Sequence, residues 1–250
     1  MITGASVGLL SGGKPSGLVP LCLAAVALFW LRTPVESWTG TSPIHVRDGR
    51  ERVLVGRAIA GLAAVAALAL LWLFWGGRNL PILWIGAAAA VAFLAQAALR
   101  RMRRDARTAA QMIGAAGLTS TAPAAYYVVT AHLNSEAFAL WAANLLFAIN
   151  QIHFVQLRLR AAHPKSRREK LAAGKGFLAG QITMLAALTL ACALRVFSVY
   201  AALAFVPILA RGFAWFLAKP RPLAIYALGK SELAYASAFG VLLVLAFALP

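Results

Sequence analysis

Apolar residues come in blocks along the whole chain, each long enough to cross a bilayer and separated from the next by a short polar segment. A membrane-crossing helix needs about 20 apolar residues, each adding about 1.5 Å along the axis. Eight blocks are read on that measure: 16–31, 54–75, 80–99, 108–131, 135–157, 177–194, 196–217 and 231–249. The first is short and the fourth is the most polar. The pattern predicts an all-α membrane protein, a polytopic helical bundle of about eight transmembrane helices forming one domain over residues 1–250.

The segments between blocks carry the charge, and they alternate. The loop after the first helix, with its flank, has Arg32, Arg47, Arg50, Arg52 and Arg57. The loop after the third has five arginines between Arg100 and Arg107, and the loop after the fifth has seven cations from Arg158 to Lys175. Arg211, Lys219, Arg221 and Lys230 surround the last loop on that side. The opposite side has only Lys14, Arg78 and Arg195 of the 24 basic residues. Short loops obey the positive-inside rule, so the basic side is predicted to be cytoplasmic in a bacterial inner membrane, with both termini outward. A missed or invented span would scramble this alternation.

Composition supports the same reading. The chain is 62% apolar and 12% charged, whereas soluble domains carry about 25% charged residues. A net charge of +17 raises the question of nucleic acid, but the cations sit between apolar blocks, where topology explains them. The expected partners are the lipid bilayer and its anionic phospholipid headgroups, with no nucleic acid. Cys22 and Cys192 both lie inside apolar blocks and form no Cys-x-x-Cys pair. They read as small apolar fillers, and no metal site or cofactor is expected. The N-terminal stretch lacks the basic start and apolar core of a signal peptide.

Polar residues inside spans usually face the bundle interior. In the fifth block, Asn144, Gln151 and Arg158 share one face and Asn150, His153 and Arg160 another. Asn150 both donates and accepts, and His153 can move a proton, which makes it the candidate acid or base. Interhelical hydrogen bonding explains the same residues at about 0.6 kcal/mol each. In the fourth block Ser120, Tyr127 and Thr130 share a face with Pro123, and the seventh carries Pro207. Each proline is expected to kink its helix and free a carbonyl. Arg57 and Arg211 are expected to snorkel to the interface, and no Asp or Glu is read in mid-membrane. Gly56, Ala60 and Ala64 form a small-residue stripe suited to close packing.

Four stretches resemble the YwiC-like family of bacterial integral membrane proteins. They are "LFWLRTPVESW" from Leu28, "APAAYYVVTAHL" from Ala122, "FVQLRLR" from Phe154 and "KPRPLAIYALGKSELAYASAFG" from Lys219. They come in the family's order and sample most of the chain. The resemblance implies one further helix, with a Glu-His-Gly stretch, ahead of "TGASVGLLSGGKPSG". The family's hydropathy is similar to that of UbiA-type prenyltransferases, which have nine helices and a cytoplasmic active site. Those enzymes bridge a prenyl diphosphate to Mg²⁺ through two aspartate-rich motifs. Here the corresponding loops hold Glu36, Asp48 and Glu51 among arginines, and then Glu169 alone. Hard Mg²⁺ needs carboxylate oxygens, so a two-site cage does not fit.

Three functional readings follow. The first is a multi-pass inner-membrane protein whose strongly basic cytoplasmic face binds anionic lipid or isoprenoid-type ligands. The second is a divergent UbiA-like prenyltransferase that neutralises diphosphate with arginines instead of Mg²⁺. In it Asn150, His153, Arg158 and Arg160 line the pocket, with Arg32 and Arg47 opposite. The third is a small-molecule transporter, for which the Pro123 break is the one pointer and Ser120 and Tyr127 are the candidate contacts.

Overall fold

The computed structural model describes residues 1–40, 48–77, 80–102, 107–162, 166–219 and 223–248, without the side chains of 100–102 and 107. All its regular structure among these residues is helical. Among the described residues, seven helices are long and apolar enough to cross a membrane. The protein is therefore an all-α, multi-pass membrane protein. The chain divides into two compact units, 3–133 with Met1 and 134–250 with Ile2.

The first unit holds α1 (Ile2–Leu10), a 3-10 turn at Pro15–Gly17, α2 (Leu18–Trp38), α3 (Gly49–Trp75), α4 (Leu80–Met102), α5 (Arg107–Thr119) and α6 (Thr121–Thr130). Helix α2 runs seven residues past its apolar block. An Arg32–Glu36 ion pair of 2.9 Å, one turn apart, supports that extension despite Pro34. Helices α2 and α3 pack through small faces: Leu21, Ala24 and Ala27 on one, Ala66, Ala69 and Leu73 on the other, all buried. Alanines let two backbones approach closely where lipid supplies no hydrophobic drive. The expected Gly56/Ala60/Ala64 stripe is corrected here. Gly56 does meet the Trp38 ring, but Ala60 and Ala64 are exposed.

The fourth predicted span is two helices, α5 and α6, which meet at Ser120. Pro123 explains the break. Its ring crowds the carbonyl four residues back, on Thr119, and it offers no N–H to that carbonyl. Three consecutive hydroxyls serve the loosened turn: Thr119 donates to the Ala115 carbonyl at 2.8 Å, Ser120 to Gly117 at 2.6 Å and Thr121 to Leu118 at 2.8 Å. Helix α6 is buried without interruption from Ala122 to Val129. The buried face of α1 lies against it, with Gly4 packed on the Ala122 backbone and Gly8 on Val129.

The second unit holds α7 (Ser135–Arg160), α8 (Arg167–Ala193), α9 (Val199–Leu203), α10 (Val206–Leu217) and α11 (Ile225–Ala248). Side-chain caps set the starts of α7, α8 and α9. Asn134, Ser166 and Ser198 each accept a backbone N–H three residues on, at 3.2, 3.2 and 3.1 Å. The Ser166 cap lets α8 begin ten residues before its apolar block, and α11 likewise begins six residues early. The turn between α9 and α10 precedes Pro207 as the Ser120 break precedes Pro123.

Candidate functional site

Four helices of the second unit carry a polar residue at one common level: Asn150 on α7, Gln181 on α8, Arg211 on α10 and Glu232 on α11. Arg211 is 9% exposed, and one guanidinium nitrogen donates to Glu232 Oε2. Its Nη2 donates to Asn150 Oδ1 at 3.4 Å. The Asn150 amide donates in turn to Met184 Sδ on α8 at 3.3 Å, and Gln151 Nε2 donates to the Glu232 carbonyl at 3.4 Å. Two rings enclose the guanidinium, Phe154 at 4.0 Å and Tyr235 at 4.8 Å from its carbon. Aromatic faces stabilise a cation that has left water.

The level is deep. At 1.5 Å per residue, Asn150 lies about 15 Å inside the end of α7, Gln181 about 21 Å inside the start of α8, Arg211 about 9 Å from the end of α10 and Glu232 about 10 Å from the start of α11. One turn toward the basic end, the same helices place Phe154, Phe177, Trp215 and Leu228, buried and packed with Leu157 as one cluster. Each stands four residues from its polar counterpart, so a one-turn apolar layer lies between the polar level and the basic edge. On the far side stand buried Leu140, Leu188, Ile208 and Phe239.

Five buried polar atoms at this level have no partner within the protein: both ends of the Gln181 amide, Gln151 Oε1, Arg211 Nε and Glu232 Oε1. Gln181 is completely buried and faces Gly212, where a Cβ would stand 2.9–3.0 Å from its amide. A buried polar group without a partner costs about 1–3 kcal/mol. Packing alone gives no reason for such a cluster.

One expectation is corrected by this geometry. Arg211 does not snorkel, although α10 ends only six residues later; Glu232 and Asn150 hold its guanidinium inside. Glu232 stands one residue inside its apolar block, at the end of the span rather than in mid-membrane. Gln181, Arg211 and Glu232 were not among the residues that sequence pointed to as a site. The available signal was Gln181, a lone amide inside the sixth block.

The expected site residues fall in different places. Asn150 joins the buried level, while Arg158 and Arg160 lie beyond the Phe154 layer. His153 faces Gly180, whose added Cβ would stand 3.0 Å from Nδ1, and its ring meets Phe177 edge-on at 6.3 Å. Arg32 belongs to the first unit, paired with Glu36 and 5.8 Å from the Phe93 ring centre. Ser120 spends its hydroxyl on Gly117, and Tyr127 sits in the apolar core with Leu21, Leu73 and Val128. Arg47 lies outside the described residues. Among the described residues no three His, Cys, Asp or Glu side chains gather as a metal site would require.

At the basic end, the buried Lys170 ammonium donates to the Ala218 carbonyl and lies 4.7 Å from the Trp215 ring centre.

These features define a polytopic α-helical membrane protein with a charged centre buried inside one of its helical units. Residues 1–126 match the family model described as YwiC-like protein, and the chain belongs to that family. The buried centre lies beyond the matched residues. No curated protein and no solved structure matches the chain.

Proposed function

We propose that this YwiC-like protein resides in the bacterial cytoplasmic membrane and binds anionic amphiphiles at its basic, cytoplasmic face. The ligand chemistry is a phosphate headgroup, on a phospholipid or on an isoprenoid phosphate. The observation that carries this reading is the set of cations where α7 ends and α8 begins, Arg158 and Arg160 on one helix and Arg167, Arg168 and Lys170 on the other. Seven cations and one acid, Glu169, lie between Arg158 and Lys175. Like charges held together at a membrane edge are relieved by an anion, and each Lys or Arg near an anionic surface contributes about 1 kcal/mol. Arg158 and Arg160 offer planar forks suited to phosphate oxygens. His153 lies farther in along α7 and acts in this reading as a neighbour of the headgroup site, whereas Asn150 lies beyond the Phe154 layer.

The test is native mass spectrometry of protein exchanged into zwitterionic micelles and titrated with phosphatidylglycerol, a prenyl phosphate, or phosphatidylcholine. Both anionic ligands are expected to be retained over phosphatidylcholine. In an Arg158→Gln/Arg160→Gln/Arg167→Gln variant the preference is expected to fall roughly a hundredfold, three charges at about 1 kcal/mol each. Retention of the prenyl phosphate alone would point to an isoprenoid site, and of both to a general headgroup site. Equal retention of all three ligands by wild type would refute the proposal.

A further inference from the structure

The buried level in the second unit is chemically different from the basic edge, and the Phe154/Phe177/Trp215/Leu228 layer separates the two. Its charge is already balanced, because Arg211 is paired with Glu232. An anion entering there would meet the Glu232 carboxylate, and a cation would meet the Arg211 guanidinium. What remains available is hydrogen bonding. Arg211 Nε and the Gln181 nitrogen are free donors, while Gln181 Oε1, Gln151 Oε1 and Glu232 Oε1 are free acceptors. A complementary ligand is neutral and carries both an acceptor and a hydroxyl. In a membrane protein such a group arrives attached to an apolar body. Glu232, with its side chain 14% exposed, is the least enclosed member.

We propose that the Arg211–Glu232–Gln181 centre is an intramembrane binding site for a neutral amphiphile whose headgroup places a hydroxyl beside a carbonyl, the chemistry of a diacylglycerol. The carbonyl accepts from Arg211 Nε and the Gln181 amide. The hydroxyl donates to Glu232 Oε1 or Gln151 Oε1. Phe154 and Tyr235, which flank the guanidinium, provide apolar walls beside the headgroup. The Gln181 amide explains itself in this way: it is a paired donor and acceptor for a ligand rather than glue between helices.

The probe is dioleoylglycerol, compared with its acetate ester, in which the hydroxyl is blocked but the apolar body is kept. Competition is read by native mass spectrometry on the full chain in zwitterionic micelles. Wild type is expected to retain dioleoylglycerol about tenfold better than the ester, the factor that one buried hydrogen bond supplies. Gln181→Leu is expected to abolish that preference while its phosphatidylglycerol retention stays at the wild-type level, which also establishes that the variant is folded. The Arg158→Gln/Arg160→Gln/Arg167→Gln variant is expected to keep the preference, so failure of the basic-edge reading and failure of this one are distinguishable. Equal retention of dioleoylglycerol and its ester by wild type would overturn the proposal, as would an unchanged preference in Gln181→Leu. Should Gln181→Leu not fold, Gln181→Met serves in its place with the same expected loss.

Discussion

Replacing Gln181 by leucine is expected to stabilise the protein, which is unusual for a substitution at a completely buried position. Both amide atoms of Gln181 lack a partner within the protein. An orphan polar group costs about 1–3 kcal/mol when buried. Leucine removes both atoms and branches one carbon earlier, so it withdraws from Gly212 and leaves a gap of about one methylene, costing about 1 kcal/mol, rather than overpacking. A net gain of about 2 kcal/mol follows, or a rise in Tm of about 4–8 °C at about 2–4 °C per kcal/mol. The assay is thermal unfolding in zwitterionic micelles, followed by tryptophan fluorescence, which includes Trp215 one turn from Arg211. Gln181→Ala is the control. It removes the same polar atoms but opens a cavity, whose cost of about 2–5 kcal/mol for a large-to-alanine change cancels or outweighs the gain. A Tm that falls in Gln181→Leu by several degrees would mean that the amide is satisfied by protein groups, and the argument for an intramembrane ligand would lose its footing.

Breaking the buried ion pair from one side, by Arg211→Met or Glu232→Leu, is expected to destabilise by about 3–5 kcal/mol, since the surviving charge is stranded; the double variant is expected to recover most of that loss, measured in the same unfolding assay. Gly174→Ala is expected to lower Tm, because its Cβ would press on Trp215 and Phe216 at 2.6–2.7 Å, whereas Gly176→Ala, with nothing within 4 Å, is expected to raise it through helix propensity by about 1 kcal/mol. In a variant with Cys22 and Cys192 replaced by alanine, Ser166→Cys is expected to resist an impermeant thiol reagent in intact cells and to react after lysis; labelling in intact cells would invert the assigned topology.

The overall architecture was legible because its signal is coarse. Seven of the eight apolar blocks lie on the seven long spans, and the eighth is the α5–α6 pair. The proline breaks were legible too: in both cases the helix is interrupted just before the proline, at Ser120 before Pro123 and at Ala204–Phe205 before Pro207. Helix ends were less so. Apolar blocks mark the lipid-buried length of a helix, not its hydrogen-bonded length, so α8 extends back to the Ser166 cap and α11 to Ile225. No pattern on a single helix joins Arg211 to Glu232, because the two stand on different helices and meet only when α10 and α11 pack together. Polar stripes on one helix also identify only half of a site. Asn150 was visible on α7, but its partners, Arg211 and Met184, come from other helices.

The energetics of the buried level argue against a purely structural role. A desolvated Arg–Glu pair is weak evidence for stability, because well-packed apolar residues of similar volume usually do as well or better. Polar glue between membrane helices contributes about 0.6 kcal/mol per hydrogen bond, and only when the bond is made. Here Arg211, Asn150 and Met184 are linked, but five polar atoms around them are not, and Gln181 contributes no hydrogen bond at all. At about 1–3 kcal/mol for each orphan group, the unmet demand exceeds what the bonds that are made can return. On the basic side an apolar layer one turn away separates these groups from the charged edge. Such an arrangement is disadvantageous for an empty bundle and advantageous for one that binds a polar headgroup, because the same five atoms that oppose folding then favour the complex.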